Sequence, residues 1–145
     1  MALKELFSVV VAENHYIVKR VFLGCIDWRF LRLVKQFRIN QDEDPNDPFD
    51  PINIPGGVKK LVRPRSEDAL ADVLADIKIT FGHKPEEYIL ILHNGCAAYG
   101  DNFPEVPEDE LRKGKKILED FLARESYKAK VRMIFKDWDK VYEVV

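Results

Sequence analysis

Two stretches of the chain hold side chains able to do chemistry, and each follows an apolar run. Val21, Phe22 and Leu23 lead into Gly24, after which a thiol, a carboxylate and a guanidinium arrive at alternate positions as Cys25, Asp27 and Arg29. Tyr88 to Leu92 leads directly into His93, Asn94, Gly95 and Cys96. Two thiolates and one imidazole are the donor set of zinc sites with three protein ligands and one open position. The His93-x-x-Cys96 spacing is short enough for both side chains to reach one ion, and Gly95 permits the tight backbone this needs. Each piece alone is weak, since a lone cysteine after a strand is ordinarily core packing. Two such pieces at matching strand ends predict one Zn2+ on Cys25, His93 and Cys96.

Asp27 and Arg29 extend the pattern. Most Asp–Arg neighbours are surface ion pairs of little consequence. A carboxylate two residues from a metal ligand is nevertheless drawn to the cation unless something holds it off, and a bidentate arginine can do so. Held in that way, Asp27 can accept a hydrogen bond from a zinc-bound hydroxide and orient it. Unpaired, Asp27 could close the site as a fourth ligand.

For these residues to meet, both strand ends must lie side by side. Open α/β sheets gather sites outside the carboxyl ends of their strands. Strands are expected at 17–24, 52–54, 87–92 and 130–135, with an edge strand near 141–145. Between them, Trp28 to about Arg38 has amphipathic helical spacing, and Ser66 is an N-cap with Glu67 and Asp68 in the following turn. Ala69, Leu70, Val73, Leu74 and Ile77 form the buried stripe of that second helix, and 108–124 is a third. The alternation predicts a single α/β domain over 1–145, with a central, mostly parallel sheet of about four strands plus an edge strand, flanked by helices. Residues 1–16 read as a short N-terminal arm in which Leu3, Leu6 and Phe7 suit a brief helix. Residues 40–51 read as an acidic, proline-rich, solvated loop. Asp42, Asp44 and Asn46 open it like a calcium loop, but Asp47 stands where glycine is needed and Asn53 where glutamate is needed.

Composition limits the function classes. A chain of 145 residues, 46% hydrophobic and 33% charged, is long enough for one proper core. A formal net charge of −2 gives nothing to recruit nucleic acid or an anionic membrane. No apolar run approaches the length of a membrane helix. The first residues mix charges among apolar side chains and lack a signal-peptide core, so the expectation is a cytoplasmic protein. Thiols stay reduced there, so two cysteines point to metal or catalysis rather than to a disulfide.

Cys25-x-Asp27-x-Arg29 followed by His93-x-x-Cys96 resembles the signature of the β-class carbonic anhydrases. Pro55, Gly56 and Gly57 are similar to that family's glycine turn, and Lys140 to Val145 to its closing strand, so the likeness runs from about residue 17 to 145. The resemblance implies an α/β fold of that family's type and zinc on Cys25, His93 and Cys96. It further implies an Asp27–Arg29 catalytic dyad and reversible hydration of carbon dioxide to bicarbonate by a zinc-bound hydroxide. Gly56 and Gly57 would be substrate contacts. The partners implied are the small-molecule substrate and further copies of the chain, in a homodimer or higher homo-oligomer. Apolar positions around 28–37 suit such an interface.

Other readings stay open beside this one. Zinc could staple the strand ends without catalysis, the substrate could be carbon disulfide or carbonyl sulfide, or the fold could serve as a small-ligand binding or regulatory protein. A cysteine phosphatase loop would need arginine where Leu31 stands, and a thioredoxin-type site would need Cys-x-x-Cys. His15 and His83 could relay protons but read better as exposed histidines without a role. Lys59, Lys60, Arg63 and Arg65 read as a solvated basic run. Trp28, Phe49, Phe81 and Tyr99 read as core or interface.

Overall fold

The computed structural model describes residues 17–44 and 47–145. The expected helix around Leu3, Leu6 and Phe7, and His15, lie outside the described residues. The elements are β1 (Arg20–Gly24), α1 (Arg29–Asn40), β2 (Asp50–Asn53), α2 (Lys59–Val62), α3 (Glu67–Ile79), β3 (Glu87–His93), α4 (Pro107–Arg124), β4 (Lys130–Lys136) and β5 (Val141–Glu143). Five strands form one sheet in the order β2-β1-β3-β4-β5, parallel except for β5, which runs antiparallel to β4. This is the expected α/β architecture.

Side-chain alternation along the strands sorts the core into two layers. Val21, Leu23, Tyr88, Leu90, Leu92, Val131, Met133 and Phe135 face one side, packed with Val58 and Leu61 at α2, Leu74 and Ile77 of α3, and Leu111, Leu118 and Leu122 of α4. Phe22, Ile89, Ile91 and Ile134 face the other, packed with Phe30, Leu33, Val34 and Phe37 of α1. Central parallel strands are covered on both faces, which is why β1 and most of β3 are apolar runs with no polar alternation. Ser66 caps α3 as expected, its hydroxyl accepting from Ala69 N at 3.1 Å. Pro107 opens α4 at its first turn, where its missing N–H costs nothing.

The chain steps from β1 outward to β2 across the α1 face, then returns past β1 to β3 across the opposite face. The reversal makes the gap beyond the carboxyl ends of β1 and β3 the place where an open sheet forms a site. Cys25 follows β1 directly, and His93 is the last residue of β3.

Several boundaries differ from the sequence expectation. β1 begins at Arg20 rather than at residue 17, because Ile17 is exposed and Val18 N instead donates to His83 O. Asp50 and Pro51, expected in the loop, belong to β2. That strand is the sheet edge, where a residue lacking an N–H is tolerated. Most described residues of the acidic loop are exposed, and part of its backbone is engaged. Arg38, 3% exposed, donates to the carbonyls of Asp44 and Asp47 at 3.0 and 2.6 Å. No helix among the described residues is long and apolar enough to cross a membrane.

Candidate metal centre

Cys25, His93 and Cys96 come together at the β1/β3 gap. Their donor atoms lie within 4.8 Å of one another, all three residues are buried, and the group could hold a metal ion. Cys25 continues the inward-facing series Val21, Leu23 past the end of β1, so it turns to the α2–α4 side. Both cysteines are free thiols with their Sγ atoms 3.7 Å apart. That is far beyond the ~2.05 Å of a disulfide. It is close to the ~3.8 Å that separates two sulfurs bonded at about 2.3 Å to a tetrahedral zinc.

His93 supplies the sharpest test of fit. Its Nδ1 is 2.9 Å from the carbonyl oxygen of Asn94, which makes Nδ1 the protonated nitrogen and leaves a lone pair on Nε2. Nε2 is buried and has no hydrogen-bond partner among the described residues. An unsatisfied buried nitrogen of this kind costs stability unless something occupies its lone pair. Two thiols within reach make a soft cation such as zinc the fitting occupant. Burial pushes the Cys96 thiol up from its ordinary range.

Asp27 and Arg29 lie beside this group in a closed pair. Arg29 donates from Nε to Asp27 Oδ1 at 2.9 Å and from Nη2 to Oδ2 at 2.6 Å, while its backbone N also donates to Oδ1 at 2.9 Å. The side-chain hydrogen bond from Arg29 holds the Asp27 carboxyl well below the usual carboxylate range despite some burial. The carboxylate also sits at the N-terminus of α1, where the helix dipole favours negative charge. Both its oxygens therefore accept hydrogen bonds from Arg29.

Gly56 and Gly57 sit in left-handed backbone, with φ of +83° and +53°. They close the turn after β2 against Ala98 and Gly24 respectively. The basic run that follows is only partly solvated, contrary to the sequence expectation. Lys59 donates its ammonium to the carbonyl of Ala98, and Arg63 Nε lies 2.9 Å from Glu110 Oε1. Glu110, 2% exposed, also accepts from the Tyr99 hydroxyl at 3.2 Å. The loop behind Cys96 is thus tied to α2 and α4. Tyr99 is core, as expected; Trp28 is 66% exposed, with Arg32 over its ring. His83 does have a partner, its Nδ1 lying 2.7 Å from Asp50 Oδ2.

The sequence reading missed two residues that shape the site. Trp138, in the β4–β5 turn, packs over Gly95, and Asp137 accepts from the Asn94 side chain at 2.8 Å. Only the parallel register that sets His93 beside Lys136 brings them there, and no local signal announces it.

No family model matches the chain, and no curated protein matches it. Among solved structures, it is similar to the β-carbonic anhydrase CafA of the fungal pathogen Aspergillus fumigatus. The TM-score is 0.48 at 13% sequence identity, over 90% of this chain and 76% of that one.

Proposed function

We propose that this chain holds one Zn2+ on Cys25, His93 and Cys96 and catalyses the reversible hydration of carbon dioxide to bicarbonate in the cytoplasm. The observation that carries the reading is the buried, unpartnered Nε2 of His93, grouped with two free thiols and flanked by a carboxylate that Arg29 holds by both oxygens. Three protein donors leave one tetrahedral position open. Zinc held there would supply the Lewis acidity that makes water a nucleophile near neutral pH.

The chain's own residues do the rest. Oδ2 of Asp27 keeps a lone pair beyond its bond from Arg29 Nη2, so Asp27 accepts an O–H hydrogen bond there and aims the attacking oxygen at the carbon. A C–O bond forms as one C=O π bond opens, and the proton leaves to solvent with bicarbonate as product. Arg29 keeps Asp27 in this role rather than on the ion. A small cavity lined by Asp27, Phe30, Leu33, Ile91, His93 and Trp138 has a free volume of about 10 Å³. That is the scale of one water molecule, the nucleophile, with Phe30, Leu33 and Ile91 as the apolar part of its wall. Nothing in this lining separates carbon dioxide from carbon disulfide or carbonyl sulfide, so turnover of all three substrates is compared.

We also propose that a second copy of the chain covers the site's outer face. Trp28 lines a groove of about 540 Å³ that runs past Leu33 and Phe37 to Val141 on the edge strand. Sedimentation at micromolar concentration is expected to show a dimer, and a monomer would remove this part of the proposal.

Metal analysis and stopped-flow carbon dioxide hydration test the main reading, with Asp27→Asn measured beside the wild type. Stoichiometric zinc with rates well above the variant's supports it. Zinc without such rates leaves a non-catalytic staple.

A further inference from the structure

Asn94 lies between two of the three donors, and each of its four polar atoms has a partner. Its backbone N–H donates to Lys136 O at 2.8 Å, and its carbonyl lies 2.9 Å from His93 Nδ1. Its side-chain Nδ2 donates to Asp137 Oδ1 at 2.8 Å, while Oδ1 accepts from Gly95 N at 3.2 Å. Asp137 is itself fixed. Its Oδ1 accepts from Trp138 N at 2.9 Å, and its N–H donates to Lys140 O at 2.9 Å, closing the β4–β5 turn. The turn lays the Trp138 indole over Gly95, where an added Cβ would stand 2.8 Å from the ring.

We propose that Asp137 is a positioning residue of the metal centre, acting through Asn94 on His93. The reason lies in the peptide between Asn94 and Gly95. Its carbonyl fixes the His93 ring by accepting from Nδ1, yet it adjoins a glycine at φ +67°, whose backbone is free to take other conformations. The Asn94 side chain bonds to that peptide's own N–H, and Asp137 holds the side chain from the far side. Without Asp137 the peptide can rotate, the Nδ1 acceptor is lost and Nε2 no longer has one direction. Partners of this kind, one shell beyond the ligands, typically change metal affinity by about 10- to 100-fold when removed.

The inference rests on the zinc reading, and the experiment separates the two. Zinc affinity is measured by chelator competition, and the thiolate-to-cobalt absorption is recorded on the Co2+-substituted protein. Asp137→Ala is expected to weaken zinc roughly 10- to 100-fold and to shift the cobalt spectrum. Asp137→Asn, which keeps an acceptor oxygen for Asn94, is expected to retain most of the affinity and the wild-type spectrum. A merely structural role would lower the thermal midpoint of the metal-free protein without moving that spectrum. Wild-type affinity and spectrum in Asp137→Ala overturn the inference, as do equal losses in both variants. Should Asp137→Ala fail to fold, Asn94→Ala removes the other half of the link and is read by the same two measurements. A wild-type chain that binds no zinc sinks the metal reading and this inference together; zinc on the wild type with no loss in the variants sinks this inference alone.

Discussion

Gly57 stands against the backbone of Gly24. A Cβ added to Gly57 would lie 3.0 Å from the Gly24 carbonyl carbon and 3.1 Å from its Cα. Ile54 N also donates to Gly24 O at 3.0 Å, so the turn after β2 is sewn to the residue that precedes Cys25. The glycine turn therefore sets where Cys25 leaves the sheet.

Gly57→Ala tests that relationship. Alanine at φ +53° is in left-handed backbone, and the contact with Gly24 cannot relax by rotating a side chain. The expected cost is about 1–3 kcal/mol of stability, with weaker metal binding because Cys25 is displaced. Gly82→Ala is the control, since nothing lies within 4 Å of an added Cβ there. Denaturant midpoints that coincide for Gly57→Ala and wild type would show that the contact constrains nothing.

Removing metal separates a catalytic site from a staple. The layers on both faces of the sheet are built from buried apolar side chains that owe nothing to an ion. Chelation is therefore expected to leave the far-ultraviolet circular dichroism unchanged while lowering the thermal midpoint. A ligand present at a thousand times its Kd stabilises by about 4 kcal/mol, which sets the scale of that drop. Collapse of the dichroism on chelation would mean that the ion holds the fold together.

A row of charges across the sheet gives stability its acid limit. Arg20 on β1 donates to Glu87 on β3 at 2.7 Å, and Arg132 on β4 donates to both Glu143 oxygens at 2.7 and 3.0 Å. Burial alone would raise the Glu87 pKa, but the hydrogen bond from Arg20 and the charges of Arg20 and Arg132 outweigh it, so the net shift is downward. The hydrogen bond from Arg132 likewise lowers Glu143. Carboxyls with depressed pKa in the folded state add stability that is present above their unfolded value and lost as pH falls. Thermal midpoints should hold from neutrality down to about pH 4.3 and decline below it. Glu87→Gln should lower the neutral midpoint and flatten the decline. An unchanged acid profile in that variant would remove Glu87 from the account.

The strands and the three candidate metal donors were legible because each is a local pattern. Apolar runs ending at Gly24 and His93 announce buried parallel strands, and a donor at each end needs only neighbouring strands to meet. What the sequence did not disclose depends on pairs distant along the chain. Lys59 reads as a surface lysine until Ala98 lies beneath it, and Asp137 as one acid among many until the β3–β4 register sets it beside Asn94. Arg38 reads as the basic end of an amphipathic helix, yet it is buried and binds loop carbonyls. Such residues are polar, and polarity predicts exposure only until a specific partner compensates burial.

Asp27 and Arg29 carry the prediction on which the proposed reaction depends most. The pair is local, Arg29 opening α1 and Asp27 standing two residues before it, so changing it should leave the sheet and the three donors in place. Asp27→Asn keeps an oxygen for the Arg29 backbone N–H but removes the negative charge and half the acceptor capacity. Zinc content should stay at one per chain, while carbon dioxide hydration falls by about 10²-fold or more, as loss of a positioned proton acceptor typically costs. Arg29→Ala should act differently. Asp27 loses both side-chain hydrogen bonds and is free to turn to the cation, so activity falls and the Co2+-substituted protein shows a four-ligand spectrum without an open position. The double variant Asp27→Asn/Arg29→Ala should then recover the open-site spectrum, because no carboxylate remains to close it. If Arg29→Ala and the wild type give the same cobalt spectrum, Arg29 is not what keeps Asp27 off the metal.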